Sequence, residues 1–255
     1  MIVARSREQR KLRARSALKG TAAFFAAACI SAPSWAGFFT VTPVRIFMSP
    51  RDRAIAVTVT NDGDEELVMQ ADVFAWTQKP GGEDELVLSE DLILSPPILK
   101  LAPKARQVVR LAKVSVPKSA RQITYRRIVR EVPEARQGGK DVQLQVALAF
   151  SLPIFITPPS AKRQLDCAAQ KLGADTLRVS CENHGAVYAM PREFAVSSPS
   201  GQRLAARETG GYILPGVTRT FDVKKADGPF PAGVLKIAVI LDDGSAQAYE
   251  VTVTE

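Results

Sequence analysis

The 255-residue chain carries a formal net charge of +8, but the excess is not spread along it. Residues 5–19 hold Arg5, Arg7, Arg10, Lys11, Arg13, Arg15 and Lys19 against Glu8, which accounts for +6 and leaves +2 on residues 37–255. So small a balance excludes a nucleic-acid surface built on basic excess. A single histidine, with no Gly-x-Ser-x-Gly elbow, phosphate loop or dinucleotide fingerprint, argues against an enzyme.

The basic stretch runs into an alanine-rich apolar segment, 21–30, too short for a confident membrane span. Ser34 and Ala36 then stand three and one before Gly37. Basic region, apolar region and small-residue site together predict a secretory signal peptide over residues 1–36. Ala26 to Cys29 faintly resembles a lipoprotein cleavage box without its usual leucine, so a lipid anchor is the lesser alternative. The remaining 219 residues contain no apolar run long enough to span a bilayer, so no stable membrane insertion is expected after cleavage.

Along those residues the pattern is all-β. Alternating apolar positions predict strands at 54–60, 67–76, 107–111, 121–132, 176–181, 192–196, 217–223, 234–241 and 246–253. Turn residues separate them, among them Asn61-Asp62-Gly63, Pro80-Gly81-Gly82, Pro199-Ser200-Gly201 and Asp243-Gly244. Such spacing suggests β-sandwiches. The longest alternation is 142–154, where Val142, Leu144, Val146, Leu148, Phe150, Leu152 and Ile154 share one face. Pro153 cannot donate to a ladder, which places that end at a sheet edge. Either the ridge is a core strand, or it is kept exposed for pairing with another protein. Pro158-Pro159 follows it and marks a division into domains 37–157 and 158–255.

Removal of the leader leaves two cysteines, Cys167 and Cys181. In an oxidising compartment such a pair forms a disulfide, with a loop-closure gain of about 3 kcal/mol. No metal site and no cofactor are expected: His184 and the cysteine spacing do not make a zinc set, and Asp242-Asp243-Gly244 reads as a hairpin turn. Trp76 is expected to fill the core of the first domain.

Four blocks carry a family resemblance: Val41 to Phe47; Val59-Thr60-Asn61-Asp62 with Gln70 to Trp76; Ser95-Pro96-Pro97-Ile98 with Gln107 to Leu111; and Thr124-Tyr125-Arg126 with Arg130-Glu131-Val132-Pro133 before the ridge. In order and spacing they resemble the PapD-like periplasmic chaperones of the chaperone–usher pathway, and Thr124-Tyr125-Arg126 resembles the archaic branch. The resemblance implies two immunoglobulin-like β-sandwich domains in an L or boomerang. It implies a periplasmic protein that folds and caps pilus subunits by donor-strand complementation and delivers them to an outer-membrane usher. The ridge would be the donated strand, with Leu144, Val146, Leu148 and Phe150 entering the subunit's groove. Arg45 matches the family's arginine for the subunit's terminal carboxylate, a role suited to a forked guanidinium. The companion lysine is replaced by Pro153, and Arg126 or Arg127 would supply the second charge, Arg126 being favoured. An uncovered ridge also predicts a self-capping dimer of the free protein. The rival reading is a secreted immunoglobulin-like adhesion or carbohydrate-binding module, in which the ridge would be buried in its own sheet.

Overall fold

The computed structural model describes residues 39–116, 118–132 and 147–253. The predicted leader and the ridge residues before Ala147, including Leu144 and Val146, lie outside the described residues. The described chain is all-β, with no helix. Among the described residues, no helix is long and apolar enough to cross a membrane.

Among the described residues the first sandwich has ten strands: β1 (Phe39–Thr42), β2 (Ile46–Met48), β3 (Ala54–Asn61), β4 (Leu67–Gln78), β5 (Asp84–Leu88), β6 (Leu92–Ser95), β7 (Ile98–Leu101), β8 (Arg106–Lys113), β9 (Ile123–Glu131) and β10 (Ala149–Ile156). One sheet is ordered β1-β3-β8-β6. The other is ordered β2-β10-β9-β4-β5, with β7 also pairing β4. Period-2 alternation turns Val57, Val59, Met69, Val73, Val109, Leu111, Tyr125 and Val129 inward, where they form one buried cluster.

The second sandwich has seven strands: β11 (Leu165–Gly173), β12 (Thr176–Asn183), β13 (Pro191–Ser197), β14 (Arg203–Glu208), β15 (Thr218–Lys224), β16 (Gly233–Leu241) and β17 (Ala246–Val253). Its sheets are ordered β11-β12-β15 and β14-β13-β16-β17. Leu177, Val179, Phe194, Val196, Phe221, Ile237 and Val239 fill the space between them. Cys167 and Cys181 stand directly opposite on β11 and β12 and are joined as a disulfide.

One device recurs in both sandwiches. The Asn61 side chain, at the end of β3, donates to the carbonyls of Glu65, Leu101 and Ala102 and accepts from the Gly63 N–H. Asn183, at the end of β12, donates to Val187 and Ile213 and accepts from the Gly185 N–H. Both asparagines are buried, so each satisfies main-chain groups that a turning chain would otherwise strand away from water.

Strand β10 differs along its length. Ile154–Ile156 lies between β9 on one side and β2 on the other. Among the described residues, Ala149–Pro153 pairs with β9 only. The edge expected at Pro153 therefore extends toward Ala149 and closes just after the proline. Glu131 N–H donates to the Leu148 carbonyl at 2.9 Å. In an antiparallel ladder bonded pairs alternate, so Ala149, Ser151 and Pro153 direct their main-chain groups away from β9. The missing N–H of Pro153 thus costs that ladder nothing.

Candidate functional site

The two faces of β10 do different work. Leu148, Phe150 and Leu152 lie on the side of Tyr125, Arg127 and Val129, by the register Phe150↔Val129 and Leu152↔Arg127. Leu148 and Leu152 are half-buried against the first core. Phe150 is 40 % exposed and meets Phe39 edge-on at 4.7 Å. The described part of the predicted ridge is thus partly covered by its own sandwich, with Phe150 its most open member.

The opposite face looks toward the second sandwich. Phe155 of β10 stacks on Tyr188 at 4.4 Å between centroids, and on the half-exposed Phe47 of β2 at 5.4 Å. Tyr212 closes the group, edge-on to Trp76 at 5.2 Å and to Tyr188 at 5.0 Å. Here the expectation for Trp76 is corrected. It is 1 % exposed, but its neighbours are Phe155 and Tyr212, not the first domain's interior. On β4, Val73 faces inward and Trp76 is odd-spaced from it, so the pleat sends the indole to the outer face, where the second sandwich covers it.

Arg126, also on that outer face, lays its guanidinium over the Trp76 ring at 3.7 Å and donates to Asp84 at 3.2 Å. Burial lowers its pKa, and the Asp84 charge partly offsets that. Arg45 lies between β1 and β2. Its Nη1 donates to Asp242 Oδ2 at 2.8 Å, and the Tyr188 hydroxyl donates to the same oxygen at 3.1 Å. Burial pushes the Tyr188 phenol up to about 12, with the Asp242 charge adding to the shift. The Tyr212 phenol is raised by burial and pulled back by both Arg45 and Arg126, so these two cations share one electrostatic neighbourhood. Arg127, the alternative second charge, points the other way, into the first core.

Asp242 is the residue that the turn reading undervalued. The hairpin is present, with Gly244 N–H donating to the Leu241 carbonyl and Gly244 at φ +80°. Yet the Asp242 carboxylate is only 6 % exposed and also faces Arg163 at 3.6 Å. Two glutamines brace the same junction. Gln78 donates to the Tyr212 carbonyl and accepts from Leu214 N–H. The Gln122 side chain accepts from Tyr188 N–H and donates to Thr157, while its main-chain N–H donates to Ala186. His184 lies exposed on its loop beside Asp166 and Glu182, and among the described residues no group of three His, Cys, Asp or Glu side chains could hold a metal.

Residues 38–162 match the family model described as the pili and flagellar-assembly chaperone, PapD N-terminal domain. The first sandwich thus matches the N-terminal domain of the PapD-like pilus-assembly chaperones. Solved chaperone structures share the fold across both sandwiches. A chain of the CsuC–CsuE chaperone–tip adhesion subunit pre-assembly complex, from archaic chaperone–usher Csu pili of Acinetobacter baumannii, is 21% identical with a TM-score of 0.60. That match covers 86% of this chain and 100% of the other. The Salmonella enterica SafA pilin–SafB chaperone complex matches at 15% identity and TM-score 0.57, covering 86% and 98%. The E. coli chaperone DraB matches at 20% identity and TM-score 0.55, covering 86% and 97%. No curated protein sequence matches the chain. The chaperone fold accordingly consists of two immunoglobulin-like sandwiches, and its aromatic junction carries Arg45 and Arg126.

Proposed function

We propose that this protein is a periplasmic chaperone that binds, folds and caps pilus or surface-coat subunits by donating strand β10, then delivers them to an outer-membrane usher. The observation that carries the reading is the open margin of β10 from Ala149 to Pro153, beside the junction that holds Arg126 and Arg45. Strand addition there would supply main-chain hydrogen bonds, and alternate side chains would fill the subunit's groove. Phe150, with Leu148, would enter that groove from the described part of the strand, with Leu144 and Val146 continuing it. Burial of each such side chain contributes roughly 1.5–3 kcal/mol before ordering costs.

The subunit's terminal carboxylate would be held by Arg126 with Arg45. Both guanidiniums already have carboxylate partners, Asp84 and Asp242, so an incoming carboxylate would share or displace these pairs. The chain would be exported by the leader 1–36 and divided at Pro158, with 37–157 as the donating domain. The Csu pilus comparison and the Thr124-Tyr125-Arg126 run support placement with the archaic branch. Neither nucleotide nor metal enters this scheme.

Co-purification of tagged protein from periplasm tests the reading. Wild type would capture a small strand-deficient subunit, and Phe150→Glu and Arg126→Met would lose it while unfolding at the wild-type midpoint. Undiminished capture by both variants would return the protein to the adhesion-module reading. Light scattering of the purified chain would decide the self-capping dimer: monomer at every concentration rejects it.

A further inference from the structure

Arg219, near the start of β15, reaches from the second sandwich toward the first. Its Nη1 donates to the Tyr212 carbonyl at 3.0 Å, the oxygen that Gln78 of β4 also reaches at 3.0 Å. Two glycines make room for the arginine. A Cβ on Gly82, in the turn between β4 and β5, would overlap Arg219 Cγ and Cδ and stand 2.6 Å from Nε. A Cβ on Gly211 would stand 2.5 Å from Nη1. Non-bonded carbons rest about 3.5–4.0 Å apart, so neither position takes a side chain while Arg219 keeps its place. Gly81 supplies the contrast. Its φ of +94° resembles the +86° of Gly82, yet a Cβ there would meet nothing within 4 Å. Backbone conformation alone calls for glycine at 81, and the arginine stem adds a second reason at 82.

The segment so held carries one wall of the junction. The Tyr212 ring stands edge-on to Trp76, and the Arg126 guanidinium lies 5.5 Å from its centroid. Its carbonyl is gripped from both sandwiches, by Gln78 of the first and Arg219 of the second. We propose that Arg219 is a positioning residue: threaded between Gly82 and Gly211, it pins the β4–β5 turn to the Tyr212 segment and so sets the aromatic wall beside Arg126. The stem fits the turn by shape, and the guanidinium holds the segment by a hydrogen bond. Lysine has a long stem and an ammonium donor, so it should keep both roles, whereas alanine should lose both.

Thermal unfolding and tryptophan quenching of protein recovered from the periplasm test this, Trp76 being the only tryptophan of residues 37–255. Gly82→Ala should lower the midpoint by about 3 °C more than Gly81→Ala, the size expected for one displaced hydrogen bond. In an Arg219→Ala background the two alanines should lower it alike. Acrylamide quenching of Trp76 in the folded protein should rise in Arg219→Ala and in Gly82→Ala. It should stay at the wild-type level in Arg219→Lys and in Gly81→Ala, which strains the same turn without touching the arginine. Equal midpoints for the two glycine variants, or unchanged quenching in Arg219→Ala, would overturn the proposal. Should Arg219→Ala fail to fold, quenching of Gly82→Ala against Gly81→Ala decides in the same way.

The consequence for subunit capture rests on the chaperone reading proposed above. Arg219→Ala should hold a captured subunit about tenfold more weakly than wild type, and Arg219→Lys as well as wild type. Undiminished capture by Arg219→Ala would overturn the positioning role. Failure of wild type itself to capture a subunit would overturn the chaperone reading instead, and the Trp76 measurement would still decide Arg219.

Discussion

The Arg45 guanidinium is bound to Asp242, which lies 197 residues further along the chain, at 2.8 Å, and the carboxylate is the more deeply buried partner. Asp242 also collects the Tyr188 hydroxyl and faces Arg163. Its removal would leave Arg45 without its carboxylate and the Tyr188 hydroxyl without its acceptor, while Arg163 keeps Asp243 at 2.8 Å. Asp242→Ala is expected to cost about 2–4 kcal/mol in urea unfolding. Arg45→Ala should cost less, about 1 kcal/mol, because Arg45 is a third exposed and Asp242 keeps its other partners. Equal losses would show that Arg45 alone carries the contact.

Gln78 and Gln122 each join the sandwiches through main-chain groups of the second one. Gln78→Ala and Gln122→Ala should each cost about 1–3 kcal/mol, since each leaves a buried amide N–H without its acceptor. Calorimetry of the double variant should split one unfolding transition into two. A single cooperative transition would mean that the aromatic cluster alone couples the halves.

Much of this architecture was legible in the sequence, and the reasons differ by element. The run 246–253 matches β17 at both ends, and 176–181 and 54–60 begin where β12 and β3 begin, because one face of each is buried and alternation records it. Strand β5 left no such trace: all its residues are exposed, so Leu86, Val87 and Leu88 follow no period. Strand β11 alternates too weakly through Ala168, Ala169, Gln170 and Lys171 to be separated from a loop. At the site, Arg45 and Arg126 were named through the resemblance, but Asp242, Tyr188, Tyr212 and the glutamines were not. An aspartate in a turn and tyrosines beside loops take their meaning from partners far away in the chain, which no local pattern encodes.

The Cys167–Cys181 bond ties the edge strand β11 to β12. For its separation of 14 residues the loop-closure contribution is about 3 kcal/mol. The Cys167→Ala, Cys181→Ala double variant should unfold at correspondingly lower urea. Reductant should destabilise wild type by the same amount and leave the variant unmoved. A variant as stable as wild type would show that β11 is held by its ladder alone.

The Asp243 carboxyl is held down at about 2, first by the Ser245 hydroxyl and main-chain N–H, with the Arg163 charge assisting. Its folded value lies below the ordinary aspartate value of about 3.9, so its contribution is complete above that pH and fades as the pH falls through about 2. Ser245→Ala should raise the carboxyl midpoint by about one unit in an NMR titration. An unmoved midpoint would assign the shift to Arg163 and the main chain.

The margin of β10 has a direction. Ala149 and Ser151 present both an N–H and a carbonyl outward, Pro153 a carbonyl alone, and from Ile154 the place is taken by β2. An extended segment arriving alongside would find matched partners at one end, an acceptor without its donor near the other, and then an occupied berth. It could not slip past Pro153 without surrendering hydrogen bonds. On the proposed reading the proline would act as an end-stop, fixing where a visiting strand finishes and so which of its side chains face inward.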